Sequence, residues 1–394
     1  MSFILKMNHA CRRTNALLSG SRLNAKICNR QVLVSRCLTT SNRRAPSPFA
    51  FVFDIDGVLL HESRPIPGAT ETLEFLQKEH IPFILLTNGG GKHETERVQE
   101  LSKRLQVQLS TNNFIQSHTP FRQLASDLQN KNVLVTGSNA EKIRGIAKQY
   151  GFKNVITPAD ILRSYPDIWP FEPPLDFSSG RVLSQKDLKI DGIFVYNDPR
   201  DWAFDIQLIV DLLLSENGVL GTLSASNGRR DLPNNGWQLD GQPSIFFSNP
   251  DLYWSTAYHL PRFGQGAFQG ALSGVWKQVT GGQELKCHII GKPHHHTFEY
   301  AERVLNDHRT TMIGTSAGIG SLQTVYMVGD NPESDIRGAN RYKSAHGTKW
   351  NSILVKTGVW DQERGNPTCV PDAIADNVSA AVKWAVEREN WRSS

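Results

Sequence analysis

From Pro48 onward, apolar runs of strand type alternate with stretches of helical periodicity, and no other feature of the sequence constrains the fold as strongly. The runs "FAFVF" (49–53) and "IPFILL" (81–86) flank "GATETLEFLQKEH" (68–80), in which the apolar residues recur at helical spacing. Continuous apolar strands that alternate with helices are typical of a parallel sheet that is covered on both faces. The alternation therefore predicts an α/β fold.

The strand and helix patterns fall into an outer group and an inner group, which indicates one domain inserted into another. The outer strand runs are 49–53, 81–86, 286–290, 324–330 and 352–358, and the inner runs are 132–136, 191–196 and 242–247. This order predicts a Rossmann-like core with a parallel sheet, formed by residues 46–110 and 286–394. Residues 111–285 are predicted to form an inserted α/β cap.

The first 45 residues differ from the rest of the chain in charge. Residues 1–45 hold nine of the 43 Lys and Arg residues and none of the 38 Asp and Glu residues. A segment that is rich in Arg and Ser and free of acids is typical of a mitochondrial transit peptide. Arg36, followed by Leu38 and Ser41, resembles the signal for two-step processing in the matrix. We therefore expect a transit peptide over residues 1–45 and a location in the mitochondrial matrix; a disordered basic tail is the alternative.

The charge and hydropathy of the remaining residues exclude two classes of partner. Acidic residues outnumber basic ones once residues 1–45 are set aside, which is a poor match to a protein that binds nucleic acid. No apolar run approaches the roughly 20 residues that span a bilayer, so we expect no transmembrane segment. The sequence leaves a homodimer open.

Polar residues follow the outer strand patterns at their C-terminal ends. They are Asp54 and Asp56, Thr87 and Asn88, Lys292, and Asp330 and Asp335. Because the carboxyl ends of parallel strands meet at one edge of an open α/β sheet, where ligands bind, these residues are predicted to form one site. Each motif is weak by itself, but their order along the chain strongly favours a functional site.

Two carboxylates one residue apart suit the transfer of a phosphoryl group through a covalent intermediate. Asp54 is predicted to be the nucleophile, because a carboxylate can accept a phosphoryl group and release it to water. Asp56 is predicted to protonate the leaving oxygen and then to deprotonate the attacking water. Gly57 permits the tight turn that aims both side chains at one pocket.

The charge at such a site requires a cation. A phosphate dianion beside Asp54 and Asp330 would be repelled strongly without a counter-charge. Mg²⁺, a hard ion that carboxylates, substrate oxygens and water bind, is the expected cofactor. Its predicted protein ligands are Asp54, Asp330 and the backbone carbonyl of Asp56.

The remaining polar groups are predicted to bind phosphoryl oxygens or to support the site. Lys292 adds a fixed positive charge, and the Thr87 hydroxyl can bind a phosphoryl oxygen together with the backbone N–H groups around Asn88 and Gly89. Asp335 is predicted to hold Lys292 or a metal-bound water.

The segments "DIDGVL", "LLTN", "GKP" and "VGDNPESD" resemble the four motifs of the haloacid dehalogenase (HAD) superfamily, in the class IIA branch with an α/β cap after the second motif. From about Phe51 to Trp384 the chain is similar to the mitochondrial group that includes the cat eye syndrome critical region protein 5 family. The cap segments "NDPRDWAFDIQLIVDLLLS" and "SNPDLYWSTAYHLPRFGQGAF" carry this similarity. One departure is Asn197-Asp198-Pro199, where that group has a Glu-Pro step, so any acidic role there falls to Asp198.

The resemblance implies a hydrolase, and the residues favour a phosphatase. Dehalogenases of this superfamily expel halide and lack the second aspartate, whereas Asp56 and Asp330 suit a phosphate monoester. We expect a Mg²⁺-dependent phosphatase that acts on a small phosphorylated metabolite, with Arg200 and Trp202 of the cap in contact with the substrate. The alternatives are an enzyme of mitochondrial glycerophospholipid metabolism that acts on a lipid-derived phosphate, and a non-catalytic HAD-fold binding protein.

The transit-peptide hypothesis predicts where the mature protein begins. N-terminal sequencing of the protein from isolated mitochondria should find a terminus between Thr39 and Phe49, because the Arg- and Ser-rich segment gives way there to the first strand pattern. Mature material that still begins at Met1 would contradict the hypothesis.

Overall fold

The computed structural model describes residues 46–171, 175, 177–184, 187–254, 258–314, 320–360 and 362–392. The predicted transit peptide, residues 1–45, lies outside the described residues. Among the helices that the structure describes, none is both long and apolar enough to cross a lipid bilayer.

Six parallel strands form the first sheet. They are β1 (Phe49–Phe53), β4 (Phe83–Leu86), β5 (Phe114–Ile115), β13 (Thr324–Gly329), β14 (Lys349–Val355) and β15 (Ala373–Ala375). Their spatial order is β15-β14-β13-β1-β4-β5, and every neighbouring pair is parallel. The order of the strands reverses at β1, which is the point at which open α/β sheets bind ligands. A short hairpin of β2 (Leu60–His61) and β3 (Arg64–Pro65) follows β1.

Helices cover both faces of the first sheet, which explains why β1 is apolar at every position. They are α1 (Ala69–Lys78), α2 (Glu94–Leu105), α8 (His295–Ile313), α9 (Arg337–Arg341) and α10 (Val378–Arg388). The rings of Phe49, Phe51 and Phe53 pack with α1, α2 and α10 in one apolar cluster. Ala50 and Val52 point to the opposite face and pack with α8 and α9. A strand that is buried on both faces needs this continuous apolar pattern.

A second parallel sheet lies within residues 132–289, which we call the second-sheet segment. Its strands are β6 (Asn132–Thr136), β7 (Asn154–Ile156), β8 (Gly192–Val195), β9 (Ser244–Phe247) and β12 (His288–Ile289), in the order β12-β9-β8-β6-β7. Its helices are α4 (Ala140–Tyr150), α5 (Pro158–Ser164), α6 (Trp202–Leu214) and α7 (Gln265–Thr280). The short helix α3 (Ala125–Leu128) precedes the segment, and a hairpin of β10 (Tyr253–Trp254) and β11 (Arg262–Phe263) follows β9. This sheet has apolar clusters of its own, and the α/β fold predicted from the sequence is confirmed.

The prediction placed one strand, β12, in the wrong sheet. Residues 286–290 were expected to form a core strand, but β12 pairs with β9 of the second sheet, with His288 opposite Phe246. A strand of two residues has no alternation from which its partner can be inferred, so the sequence could not distinguish the two sheets. Lys292 therefore follows a strand of the second sheet. Likewise, β5 of the first sheet lies beyond the predicted boundary at residue 110; the division into core and cap otherwise stays a prediction.

A buried ion pair fixes α4 against α5, and its removal should be costly. Arg144 donates to both carboxylate oxygens of Asp160, at 2.6 and 3.0 Å, and the two side chains are 2% and 1% exposed. Asp160→Asn leaves the buried Arg144 guanidinium with only the exposed Glu141, at 3.2 Å, as a counter-charge, so the free energy of unfolding should fall by about 3 kcal/mol, the low end of the range for a broken buried pair. Urea denaturation measures the change.

The matched control is Asp376→Asn, which breaks the exposed pair of Asp376 with Lys356. Exposed pairs contribute little to stability, so this variant should unfold like the parent protein. An equal decrease in the free energy of unfolding of the two variants would show that the buried pair contributes no more to stability than the exposed pair.

Candidate active site

The ammonium group of Lys292 lies at the centre of the predicted site. Its Nζ is 2.9 Å from Asp54 Oδ1 and 2.7 Å from Asp335 Oδ1, and it donates to the Leu86 carbonyl at 3.0 Å. The side chain is 1% exposed. Burial alone would lower the pKa of Lys292, but the charges of Asp335 and Asp54 outweigh it and hold the pKa above its ordinary value. Lys292 is therefore a permanent buried cation.

Three carboxylates cluster at this site, and two of them contact the Lys292 ammonium directly. Asp54 follows β1, Asp330 follows β13, and Asp335 lies one helical turn further along the chain; oxygens from all three lie within 4.8 Å of one another. Burial, and then the charges of Asp54 and Asp335, raise the pKa of Asp330 well above its ordinary value. Burial likewise raises the pKa of Asp335 to about 6. Three crowded carboxylates against one ammonium leave an excess of negative charge.

This donor set fits a hard divalent cation. Carboxylate oxygens are the ligands that Mg²⁺ prefers, and buried carboxylates without enough counter-charge are costly. Both predicted ligand carboxylates, Asp54 and Asp330, lie in the cluster. Asp335, which was predicted to support Lys292, lies in the same cluster and also within hydrogen-bond distance of Lys292. The ligand role of the Asp56 backbone carbonyl stays a prediction.

Two glycines allow the backbone to close around Asp330. A Cβ atom at Gly57 or at Gly358 would overlap the Asp330 carboxylate, so neither position has room for a side chain. The backbone N–H of Val359 donates to Asp330 Oδ2 at 2.7 Å. Gly57 also has a φ of 83°, in the left-handed region that favours glycine. Asp330 is thus held between the loop after β1 and the loop after β14.

The side chain of Asp56 lies apart from this cluster and is exposed. Neighbouring protein atoms nevertheless displace part of the water around the Asp56 carboxyl, which raises its pKa above the ordinary value. The positive charges of Arg97 and Lys292 partly oppose that rise. An exposed carboxyl with a raised pKa, beside but outside the carboxylate cluster, is free to exchange a proton with a ligand.

The structure places Thr87 and Asn88 at the end of β4, next to Lys292. The Thr87 hydroxyl oxygen accepts the N–H of Gly89 at 2.9 Å, which leaves the hydroxyl hydrogen available for another acceptor. Asn88 Oδ1 accepts the Lys292 N–H at 2.7 Å, and Nδ2 donates to the Lys292 carbonyl at 2.9 Å. Nδ2 also donates to Asp251 at 3.0 Å, so both amide hydrogens of Asn88 are used. Asn88 therefore positions Lys292, and its side chain has no donor left for a phosphoryl oxygen.

Asp251 is a site residue that the sequence reasoning missed. It follows β9 of the second sheet, is half-buried, and accepts the Asn88 bond described above. Burial raises the pKa of Asp251 to about 6. The available signal was the position of "SNPD" just after a strand pattern, the same signal that identified Asp54. It was not used because Asp251 belongs to the inner group of strands.

The two predicted cap contacts, Arg200 and Trp202, lie among residues of the second-sheet segment. Arg200 is exposed and lines a cavity of about 210 Å³ within the second-sheet segment. The Trp202 ring packs edge-on against Phe268 at 5.6 Å, and its Nε1 donates to the Pro199 carbonyl at 2.9 Å. The structure does not bring either side chain to the Lys292 cluster, so their contact with substrate stays a prediction.

The same loop reaches the site through a different residue. The Asn197 side chain lies against Gly91, where a Cβ atom would overlap it, and Asn197 also accepts the Ser138 N–H at 2.9 Å. Asp198, at the position where an acidic role was expected, is half-buried, and burial raises its pKa.

Comparison with known proteins supplies a family for this arrangement. The family described as "Haloacid dehalogenase-like hydrolase" matches residues 51–153, and the family described as "HAD-hydrolase-like" matches residues 289–381. The chain is 38% identical over 359 residues to a mitochondrial hydrolase of Saccharomyces cerevisiae; the match covers 86% of this chain and 96% of that protein.

A longer relative and a solved structure complete the comparison. A fusion protein of Schizosaccharomyces pombe, named cardiolipin synthase (CMP-forming) / mitochondrial hydrolase, is 42% identical over 357 residues. That match covers 89% of this chain but only 55% of the fusion protein. The structure of 4-nitrophenylphosphatase from Thermotoga maritima superposes with a TM-score of 0.53 at 17% identity, over 85% of this chain and 96% of that one, which shows a shared fold.

The crowding of carboxylates predicts that Asp330→Asn stabilises the metal-free protein. The folded-state pKa of Asp330 lies above the unfolded value of 3.8, so the folded state loses stability as the pH rises through that range and remains penalised at pH 8. The amide oxygen can still accept the Val359 N–H. In the presence of a chelator the free energy of unfolding at pH 8 should therefore rise, by about 0.5–2 kcal/mol if this substitution behaves like other single stabilising changes.

Urea denaturation at pH 5 and pH 8 tests this sign, and the gain should be larger at pH 8. Glu387→Gln, at a side chain that is 67% exposed, is the control and should leave stability unchanged at both pH values. Destabilisation of the Asp330→Asn protein would show that the carboxylates are not in conflict.

Proposed function

The chain belongs to the haloacid dehalogenase superfamily of hydrolases, in its class IIA branch, and from this membership and the geometry of its site we propose that it is a Mg²⁺-dependent phosphatase. Its substrate is a small phosphate monoester, cleaved through an aspartyl-phosphate at Asp54. One observation carries the proposal: a buried Lys292 shared by Asp54 and Asp335, with Asp330 in the same cluster and Asp56 outside it.

Asp54 is the group that attacks phosphorus in this proposal. Lys292 binds its Oδ1 at 2.9 Å, which fixes the orientation of the carboxylate at the end of β1. A bond forms between an Asp54 oxygen and phosphorus while the bond from phosphorus to the ester oxygen breaks. Water then attacks the same phosphorus and releases phosphate, which regenerates Asp54.

Asp56 moves the protons of both steps. Its protonated form gives a proton to the departing ester oxygen, and the carboxylate that results accepts a proton from the attacking water. The raised pKa and exposed position of Asp56 suit this exchange. The Thr87 hydroxyl, which accepts the Gly89 N–H, keeps its hydrogen for a phosphoryl oxygen. Asn88 contributes indirectly, through the Lys292 peptide.

Asp54 and Asp330, with the backbone carbonyl of Asp56, would hold the cation. When bound, Mg²⁺ supplies the positive charge that allows a phosphate dianion to approach Asp54. Asp335 holds Lys292 at 2.7 Å and so helps to keep that ammonium beside Asp54.

The relatives support a mitochondrial location and favour one second substrate class. Two curated relatives are named mitochondrial hydrolases, which agrees with the acid-free first 45 residues; we propose the matrix as the compartment. The name of the fission-yeast protein joins a cardiolipin synthase to the hydrolase, which favours a lipid-derived phosphate as the alternative substrate. Retention of Asp54, Asp56, Lys292 and Asp330 argues against a non-catalytic binding protein. We leave a homodimer as an open proposal.

A phosphate-release screen separates these substrates. The purified protein is assayed against soluble metabolite phosphates and against lipid phosphates in mixed micelles, each with and without Mg²⁺. Release from soluble esters alone supports the main proposal, and release from lipid phosphates alone supports the second. No release from either class would favour a binding protein.

Asp54→Asn should reduce phosphatase activity to background while the urea midpoint stays unchanged, because the amide is nearly isosteric but cannot attack phosphorus. Asp56→Asn should lower kcat by roughly 10²- to 10⁴-fold, the usual contribution of a general acid–base. Acid-quenched parent protein should carry a phosphoryl group on the peptide that contains Asp54, by mass spectrometry. Normal activity in Asp54→Asn would falsify the covalent mechanism.

Activity should require Mg²⁺ and depend on Asp330. A chelator should abolish turnover and added Mg²⁺ should restore it, because the carboxylate cluster otherwise repels the substrate. Asp330→Asn should raise the Mg²⁺ concentration for half-maximal activity by at least about tenfold, whereas Glu387→Gln should not change it. Activity that survives the chelator would contradict the metal assignment.

A further inference from the structure

A second polar cluster lies beside the site and has no role in the chemistry proposed above. It consists of His118, Tyr150 and Glu94, which are 0%, 5% and 2% exposed. Buried polar groups are costly unless each has a partner, so a cluster of three needs a structural or functional reason. The cluster lies directly behind Gly90 and Gly91, in the loop that follows Thr87: a Cβ atom at Gly90 would be 3.0 Å from His118 Cδ2.

The hydrogen bonds of this cluster have only one consistent direction. The Gly91 N–H donates to His118 Nε2 at 3.1 Å, so Nε2 carries no hydrogen. The neutral ring must then carry its hydrogen on Nδ1, which lies 2.8 Å from the Tyr150 hydroxyl and donates to it. The Tyr150 hydroxyl in turn donates to Glu94 Oε1. Each group fixes the next, from the Gly91 peptide to the Glu94 carboxylate.

The charges around the cluster agree with this direction. Burial lowers the pKa of His118 to about 4, so the ring is neutral at physiological pH. Burial opposes ionisation of Glu94, but the Tyr150 hydrogen bond and nearby positive charge outweigh it and lower the pKa of that carboxyl. Thr119 Oγ1 donates to Glu94 at 3.0 Å, and Arg122 lies 3.6 Å from it. The chain of bonds therefore ends on a carboxylate whose ionised form is favoured, although none of the described groups donates a hydrogen bond to its second oxygen, Oε2.

The cluster joins three separate parts of the chain. Gly91 lies on the loop of residues 87–91, whose Asn88 holds the Lys292 peptide. Glu94 begins α2 beside that loop, and His118 follows β5 of the first sheet. Tyr150 is the last residue of α4, in the second-sheet segment. The orientation of the 87–91 loop thus depends on Glu94, His118 and Tyr150, which come from these three parts.

We propose that His118, held in its Nδ1–H tautomer by Tyr150 and Glu94, is a positioning residue that fixes the 87–91 loop for phosphate binding. Tyr150 makes this positioning depend on where the second-sheet segment lies. Without His118 the Gly91 N–H loses its acceptor, and the Gly89 end of the loop is then held chiefly by the Ser117 N–H, which donates to the Gly89 carbonyl at 3.1 Å. The proposal rests on the phosphatase function only for its kinetic consequence; the tautomer is a property of the protein itself.

Two substitutions at His118 separate the effect of its hydrogen bond to Gly91 from the effect of its side-chain volume. His118→Gln can place a carbonyl oxygen where Nε2 lies and keep the Gly91 bond, whereas His118→Leu cannot. With 4-nitrophenyl phosphate as substrate and inorganic phosphate as inhibitor, His118→Leu should raise KM and the inhibition constant by roughly tenfold, the effect of one lost buried hydrogen bond. His118→Gln should recover most of this loss, and Tyr150→Phe should lie between the two. The Mg²⁺ requirement should stay unchanged, and the exposed His346→Gln should match the parent protein.

An NMR measurement tests the tautomer without any turnover. ¹⁵N-histidine spectra of the full protein, with His118→Gln used for assignment, should show a His118 ring with hydrogen on Nδ1 and none on Nε2. The opposite tautomer, or equal kinetic effects of Gln and Leu at residue 118, would overturn the proposal. If the parent protein releases no phosphate from any ester, the phosphatase proposal fails. The NMR result on the tautomer still decides whether the proposed His118 hydrogen-bond chain is correct. If His118→Leu does not fold, Tyr150→Phe and His118→Gln carry the kinetic comparison.

Discussion

The buried ammonium of Lys292 is the interaction on which the rest of the structure depends. A buried cation is tolerated only if carboxylates approach it closely, and here Asp54 and Asp335 do so at 2.9 and 2.7 Å. Asp54 arrives from the middle of the first sheet and Lys292 from the edge of the second, so this contact joins the two sheets. Asn88 adds bonds to both polar groups of the Lys292 peptide. The position of one side chain is therefore determined from both parts of the molecule.

The same contact explains why the site is poised to bind a cation. Asp335 and Asp54 share Lys292 by direct contact, and burial together with the charges of Asp54 and Asp335 raises the pKa of Asp330 although Lys292 partly opposes the rise. Two glycines hold Asp330 in place although its charge is unfavourable there. Such a conflict lowers the stability of the empty site and raises its affinity for a divalent ion, a trade that is common at catalytic sites. The electrostatics therefore favour function over stability.

The sequence predicted the α/β class and the residues at the ends of the first-sheet strands, because each strand is long enough to show its pattern and each polar residue follows it directly. It could not predict that β12 joins the second sheet, since His288 and Ile289 alone show no alternation from which a partner strand can be inferred. The positioning role of Asn88 and the presence of Asp251 were missed for a related reason: their hydrogen bond joins residues 163 positions apart, across two sheets. Trp202 was read as a substrate contact, but an aromatic side chain at the start of a helix equally suits the packing against Phe268 that the structure shows.

Three contacts of the second-sheet segment end on the 87–91 loop or on the residues that hold it: Asp251 with Asn88, Asn197 with Gly91, and Tyr150 with His118. Each involves a polar group that is at least half-buried, so separation of the segment from the loop would expose these groups together. It would also replace two hydrogen bonds, Asp251 with Asn88 and Tyr150 with His118, by bonds to water. The Asn88 contact is shared with the Lys292 peptide, which means that such a separation would also loosen the ammonium beside Asp54. An arrangement in which the segment lies against the loop is therefore the one in which Lys292, the proposed nucleophile Asp54 and the proposed phosphate-binding peptides are all in place. The contacts of the second-sheet segment and the position of the Lys292 ammonium are therefore linked through a single loop, residues 87–91.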